Sequence, residues 1–145
     1  MKAFASTVEV REFQTQDRSA VVLLWNQLFP NATGHNDPNT SLDRKLEAND
    51  GLLFVAVEDD AVIGTVMAGY DGHRGWIYSV GVDPRYQRRG VGTHLVRHTE
   101  RELMSLGCPK INLQVRTDNA EVVAFYATLG FETEDRISMG KRPSF

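Results

Sequence analysis

Val80-Gly81-Val82-Asp83-Pro84-Arg85-Tyr86-Gln87-Arg88-Arg89-Gly90-Val91-Gly92-Thr93 joins an apolar run to a helical pattern through a turn rich in arginine and glycine. Residues 76–82 before the turn read as a strand. After it, Val91, Leu95, Leu103 and Leu106 mark a helix of about four turns, closed by Gly107 and Pro109. Ile111, Leu113 and Val115 then alternate as another strand. Strand, helix and strand in this order imply a right-handed parallel crossover. A helix start leaves backbone N–H groups unpaired and carries partial positive charge, so it is a ready anion site. Gly90 and Gly92 lack side chains and let an oxyanion approach the backbone. From Pro84 to Thr99 there are arginines at 85, 88, 89 and 97 and no acidic residue, a locally positive field. A tight turn with a solvated basic face is the alternative reading. The P-loop ending Gly-Lys-Ser/Thr and the dinucleotide pattern Gly-x-Gly-x-x-Gly are both missing, which leaves Gln87-x-x-Gly90-x-Gly92 between strand and helix.

Working outward, residues 8–12 read as a first strand. Asp17 is placed to cap a helix whose Val21, Leu24, Trp25 and Leu28 form one apolar stripe ended by Pro30. A polar loop over 31–38 precedes a shorter helix over 41–48 with Leu42 and Leu46 facing inward. Residues 52–57 and 62–70 read as a hairpin. Asp118 and Glu121 have capping-box spacing ahead of a helix carrying Val122, Phe125, Tyr126 and Leu129, stopped by Gly130. Residues 131–135 and 137–141 read as a closing pair of strands. The fold class is therefore α/β (α+β), a mixed, mostly antiparallel central sheet with helices on both faces.

The 145 residues carry a formal net charge of −3, 41% hydrophobic residues and one cysteine, the balance of a single compact domain. A lone Cys108 forms no internal bridge, and a reducing, cytoplasmic setting fits it. No apolar run approaches the ~20 residues that span a bilayer. The opening residues turn polar too early for the apolar core of an export signal. The acidic balance gives no general attraction to nucleic acid, and Tyr86 is the only aromatic among the arginines, so stacking platforms are missing. His94 and His98 have metal-ligand spacing without a third ligand, so a solvated face is the reading there and no metal is expected.

The turn Gln87-x-x-Gly90-x-Gly92, preceded by Val80-Gly81-Val82-Asp83-Pro84, resembles the acetyl-CoA pyrophosphate loop of the GNAT superfamily of N-acetyltransferases. Asn119 followed by Phe125-Tyr126-x-x-Leu129-Gly130-Phe131 is similar to that family's closing helix and turn. With the two motifs set in this order of elements, the resemblance covers almost the whole chain, as one GNAT-like domain over residues 1–145. The runs at 64–75 and 107–111 look like bacterial YpeA-type members.

The resemblance implies acetyl-CoA as donor, a splayed parallel strand pair, and a pyrophosphate wrapped by the N–H groups of Arg88, Arg89, Gly90, Val91, Gly92 and Thr93. Val80, Gly81 and Val82 would line pantetheine, with the Val80 and Val82 backbones pairing to it and one N–H polarising the thioester carbonyl. Asn119 would contact the same arm, or serve as part of a helix cap. Tyr126 takes the general-acid position and would protonate the departing thiolate; packing on its helix face is the alternative. Members that acetylate a ribosomal protein carry Glu where this chain has Gln114, so the base stays open among Asp71, His73, Tyr78 and water. The acceptor, a small-molecule or protein amine, is expected between the 31–40 and 71–75 loops, with Trp25, Phe29, Asp37 and Asp71 as lining. No nucleic-acid or membrane partner is expected, and a homodimer stays open. A CoA-binding sensor or interaction module without turnover is the competing class.

Overall fold

The computed structural model describes residues 7–144, so residues 1–6 of the stretch read as lacking an export signal lie outside the described residues. The chain divides into two compact units, Met1–Gln114 and Val115–Phe145. The first runs β1 (Val8–Glu12), α1 (Arg18–Leu28), α2 (Pro38–Ala48), β2 (Leu53–Glu58), β3 (Ala61–Tyr70), β4 (Gly75–Val82), α3 (Val91–Ser105) and β5 (Ile111–Leu113). Its strands form one sheet in the order β1-β2-β3-β4-β5. Every neighbour is antiparallel except β4 and β5, which are parallel and joined through α3. This is the mixed sheet that the strand–helix–strand pattern implies. Asp59 and Asp60, at φ 50° and 64°, make the two-residue turn between β2 and β3, a left-handed pair that matches strand twist.

Side chains alternate between the two faces of the sheet. Val21, Trp25 and Leu42 from α1 and α2 pack with Leu53 and Val55 on one face. On the other, Phe54 meets the ring of His98 on α3 edge-on at 4.7 Å. Gly64 also faces α3: a Cβ there would lie 3.0 Å from Leu95 Cδ1, so the helix sits close to the strand. The next residue, Thr65, points the opposite way and accepts a hydrogen bond from Trp25 Nε1 at 2.9 Å, with both residues buried. Helices therefore cover both faces of this unit's sheet.

Local chemistry moves several boundaries. The second helix starts at Pro38, before the expected residue 41, because the Asp37 carboxylate accepts the Thr40 N–H at 3.2 Å and proline suits the first helical turn. Leu46, expected inside, is exposed near the end of its helix. Asp17 occupies the cap position of α1, but its carboxylate turns back to Arg11 in two bonds of 2.8 and 3.0 Å and to the Gln14 N–H at 2.8 Å. The last strand of the sheet stops at Leu113, so Val115 is outside it.

The second unit holds one helix, α4 (Ala120–Thr128). Its cap is Asn119, whose Oδ1 accepts the Val122 N–H at 3.3 Å, while the expected Asp118 pairs with Arg116 instead. The closing strands expected over 131–135 and 137–141 are not formed; that stretch is irregular, and Ile137 and Met139 are each 90% exposed. Alternating apolar residues favour a strand only where a neighbouring edge supplies hydrogen bonds.

Thr65→Val leaves the Trp25 indole N–H buried without its acceptor, and the expected cost is about 1–3 kcal/mol in urea unfolding with an unchanged m-value. Asp17 is held below the usual carboxylate range, first by its hydrogen bonds from Arg11. A depressed folded pKa contributes stability that is fully present above the unfolded value of about 3.9 and lost as pH falls through the lower folded value. Asp17→Asn is thus expected to be less stable at pH 7, with the gap to wild type closing below about pH 4 in unfolding curves.

Candidate active site

The β4–β5 ladder pairs Gly75 with Ile111, Trp76 with Asn112 and Ile77 with Leu113, then ends. At the same point β4 carries an extra residue. Ile77 pairs with Ala68 and Ser79 with Met67 on β3, so Tyr78 is bulged. A bulge bends its strand and disrupts the local ladder, which suits the splaying of β4 from β5 here. Beyond it, β4 pairs only with β3 as far as Val82. The Asp83 N–H donates to Ile63 O at 2.8 Å, and in an antiparallel ladder alternate residues turn their polar groups toward the partner. Asp83 and Gly81 thus face β3, while Val80 and Val82 turn N–H and C=O toward the open edge. Gln87 Nε2 reaches the outward carbonyl of Val82 at 3.3 Å. Gly81 has a packing reason to be glycine: a Cβ would come within 2.6 Å of Leu28 Cδ1 on α1.

The strand runs into a tight turn at Asp83, whose carboxylate caps the Arg85 N–H at 2.9 Å, and then into α3. Arg88 and Gly90 have φ of 64° and 80°, and Gly90 is the N-cap. The first helical bond is His94 N–H to Gly90 O at 3.0 Å, so the N–H groups of Val91, Gly92 and Thr93 precede the helix ladder. The arginine field is less free than the local sequence suggests. Arg85 pairs with Asp83 at 2.8 Å, Arg89 with Glu58 at 2.9 Å and Arg97 with Glu100 at 3.0 Å. Arg85 and Arg89 also lie over the Tyr86 ring, at 5.9 and 5.3 Å from its centroid. Arg88 is exposed and forms no ion pair among the described residues.

A cavity of about 530 Å³ opens beside the Tyr78 bulge. It takes His35 and Asn36 from one expected acceptor loop and Asp71 from the other. The other anticipated lining residues are elsewhere: Trp25 is in the core, Asp37 caps α2, and Phe29 is not on the cavity wall. What the sequence reading missed is α2, which presents Ser41, Arg44, Lys45 and Ala48 to the cavity. The i, i+3, i+4, i+7 spacing of those four was the available signal. Gly69 on β3 clears space for Tyr78, since a Cβ would meet its ring at 3.1 Å. Burial, then the nearby Asp71 and Asp50, push the Tyr78 phenol up. Asp71 accepts the backbone N–H groups of Arg74 at 2.7 Å and His73 at 2.8 Å, which hold its carboxyl below the usual range. An anion so stabilised is a poor base and a good counter-charge. Gln114 is exposed just past the end of β5.

In the second unit, α4 ends in a Schellman motif: the N–H of Phe131 reaches Tyr126 O at 3.1 Å and that of Gly130 reaches Ala127 O at 3.1 Å. Gly130 at φ 96° makes the reversal and lets Phe131 fold back on Tyr126, their ring centroids 5.6 Å apart. Phe125 lies edge-on to Tyr126 from the other direction at 5.0 Å. Tyr126 is 9% exposed, and burial pushes its phenol above the usual value, so it stays protonated through neutral pH. Packing and a protonated hydroxyl are therefore both present. His98 packs on Phe54, and no group of metal-ligating side chains occurs among the described residues.

Residues 19–131 match the model of the Acetyltransferase (GNAT) family. An acetyltransferase of Yersinia enterocolitica is 43% identical over 138 residues, covering 93% of this chain and 95% of the relative. One from Pectobacterium atrosepticum is 42% identical over the same shares of the two chains. Among solved structures, an aminoglycoside N-acetyltransferase in complex with CoA superposes with a TM-score of 0.78 at 20% identity, over 94% of this chain and 95% of that one. A match over most of the chain, with relatives above two-fifths identity, is enough to assign it: the chain belongs to the GNAT acetyltransferase family, whose acetyl donor is acetyl-CoA.

Proposed function

We propose that residues 1–145 act as one cytoplasmic catalytic domain that moves an acetyl group from acetyl-CoA to a primary amine of a small molecule or protein. Transfer is direct, in a ternary complex. The observation that carries this reading is the edge of β4 at Val80 and Val82, which has no strand neighbour and leads through a tight turn to the glycine-started helix α3. Such an edge suits an extended amide chain such as pantetheine, which would add to the sheet as a further strand. The N–H groups from Arg88 to Thr93 then meet the pyrophosphate, with Gly90 supplying the left-handed turn and Gly92 a close backbone approach. The donor set fits the group on both counts. A single cysteine and the lack of any helix, among the described residues, long and apolar enough to cross a membrane support the cytoplasmic setting.

Bound there, acetyl-CoA supplies an acetyl thioester that a neutral amine attacks. The C–N bond forms, the C–S bond breaks, and the sulfur leaves as a thiolate. The N–H of Val80 or Val82 polarises the carbonyl as charge builds on its oxygen. Tyr126 donates its phenolic proton to the sulfur, and the amine's proton passes to water at the cavity. Asn119, already a helix cap, contacts the pantetheine arm. Asp71 serves as counter-charge to the incoming cation and leaves the base role to water, which agrees with its depressed pKa.

Thiol release from acetyl-CoA across a panel of amines and peptides tests the reading, because a module without turnover binds CoA and releases no thiol. Tyr126→Phe is expected to lower kcat by about 10²-fold with little change in the KM for acetyl-CoA. Its phenol is raised above the usual value of about 10, so the wild-type rate should show no loss of this acid below that pH. Gly90→Ala forces a side chain into the left-handed region, and we expect the KM for acetyl-CoA to rise severalfold and the melting temperature to fall by about 2–5 °C.

A further inference from the structure

The charges around the cavity beside Tyr78 do not cancel in place, and their arrangement narrows the acceptor. Lys45, whose side chain is 9% exposed, donates to Asp50 Oδ2 at 2.8 Å and to the carbonyl of Ala68. Asp50 Oδ1 in turn takes the Leu52 N–H at 3.0 Å. That pair is internally satisfied and forms a fixed wall. Two lining charges remain without an ion pair or a side-chain hydrogen bond among the described residues: the Asp71 carboxylate, held by backbone N–H groups with the His73 ring nearby, and the exposed Arg44 guanidinium. Arg44 stands one residue from Lys45 on the cavity face of α2, and Asp71 follows the end of β3, so the two opposite charges lie on different elements. A ligand complementary to both carries a cation and an anion. The depression is open to solvent, and its volume falls within the range of small-molecule sites.

Resting on the acetyl-transfer reading above, we infer that the acceptor is a small zwitterion of the α-amino-acid type. Arg44 holds its carboxylate in the planar, two-pronged manner of guanidinium–carboxylate pairs. Asp71 attracts the ammonium group before it loses its proton. Tyr78, with its ring beside Gly69, forms a further part of the cavity wall that the acceptor's side chain would meet. An acceptor with an amine alone leaves Arg44 uncompensated, and a bare carboxylate is repelled by Asp71.

The experiment compares common free α-amino acids, each against the amine that remains when its carboxyl group is removed and against its carboxamide. With purified protein and acetyl-CoA, thiol release is expected to favour at least one amino acid over both counterparts by tenfold or more in kcat/KM, with the difference in KM. Arg44→Ala should bring that ratio near one, and Arg44→Lys should restore part of it; Asp71→Asn should raise KM for the amino acid. Equal use of the carboxyl-free amine, preference for a peptide N-terminus, or an Arg44→Ala ratio unchanged from wild type overturns the inference. If no amine releases thiol, the transfer reading fails, and calorimetric titration of the same compounds into CoA-loaded protein still decides the cavity's chemistry. Tighter binding of an amino acid than of its carboxyl-free amine, lost in Arg44→Ala, supports the zwitterion site, and no such difference overturns it.

Discussion

Every residue of a strand interior has an N–H and a C=O to place, and β4 places only half of them within the sheet once it passes Ile77. The bulge at Tyr78 and the end of the β5 ladder fall together, so the strand bends at the point where its second neighbour is lost. Much of the site follows from that constraint. The open edge at Val80 and Val82 is where a ligand strand is proposed to add. The bulged residue stands beside the cavity, and the strand's end delivers the chain to the start of α3. Gly64 and Gly81 serve the same geometry from opposite faces, one letting α3 settle close to the sheet and the other admitting Leu28 of α1.

Electrostatics at the helix start is a second theme, and it works differently from a simple count of arginines. Asp83, Glu58 and Glu100 occupy three of the four guanidinium groups, and each acid lies outside the acid-free stretch from Pro84 to Thr99. The charge that the sequence displays in a row is distributed over structural pairs, leaving Arg88 as the one of the four without an ion pair among the described residues. Backbone N–H groups, aimed by left-handed residues at 88 and 90, are then the main feature of the proposed phosphate cradle.

Much of the sheet and all four helices were legible in the sequence because their signals are local and periodic. The stripe of Val21, Leu24 and Trp25, the Asp59-Asp60 turn and the glycine-closed helix over 91–105 each follow from neighbours within a few residues. What escaped depends on partners far along the chain. Nothing near Arg85 or Arg89 tells which carboxylate will hold it, and Trp25 gives no sign that its indole will meet Thr65, forty residues away. The cavity-facing side of α2 was not legible because Ser41, Arg44, Lys45 and Ala48, although they recur at helical spacing, make the same polar stripe as any solvated helix face. The apolar alternation after Phe131 misled in the opposite way, since it marks a strand only where an edge is available to receive it. Asp17 and Asp118 show a similar limit: a capping residue type at the right offset still chooses its guanidinium neighbour over the helix N–H groups.

The bond between Glu58 and Arg89 bears on how the loop behaves before any ligand arrives. Glu58 closes β2 and also accepts the Thr7 hydroxyl at 2.7 Å, so it is tied to the sheet on one side and to the turn ahead of α3 on the other. With the Arg89 guanidinium also lying over Tyr86, that turn is braced to the end of β2 through one side chain. A loop so fixed has little rotational freedom left to lose on association, and the entropy of ordering is met during folding. The acid that offsets a charge of the basic site is also the element that preorganises it.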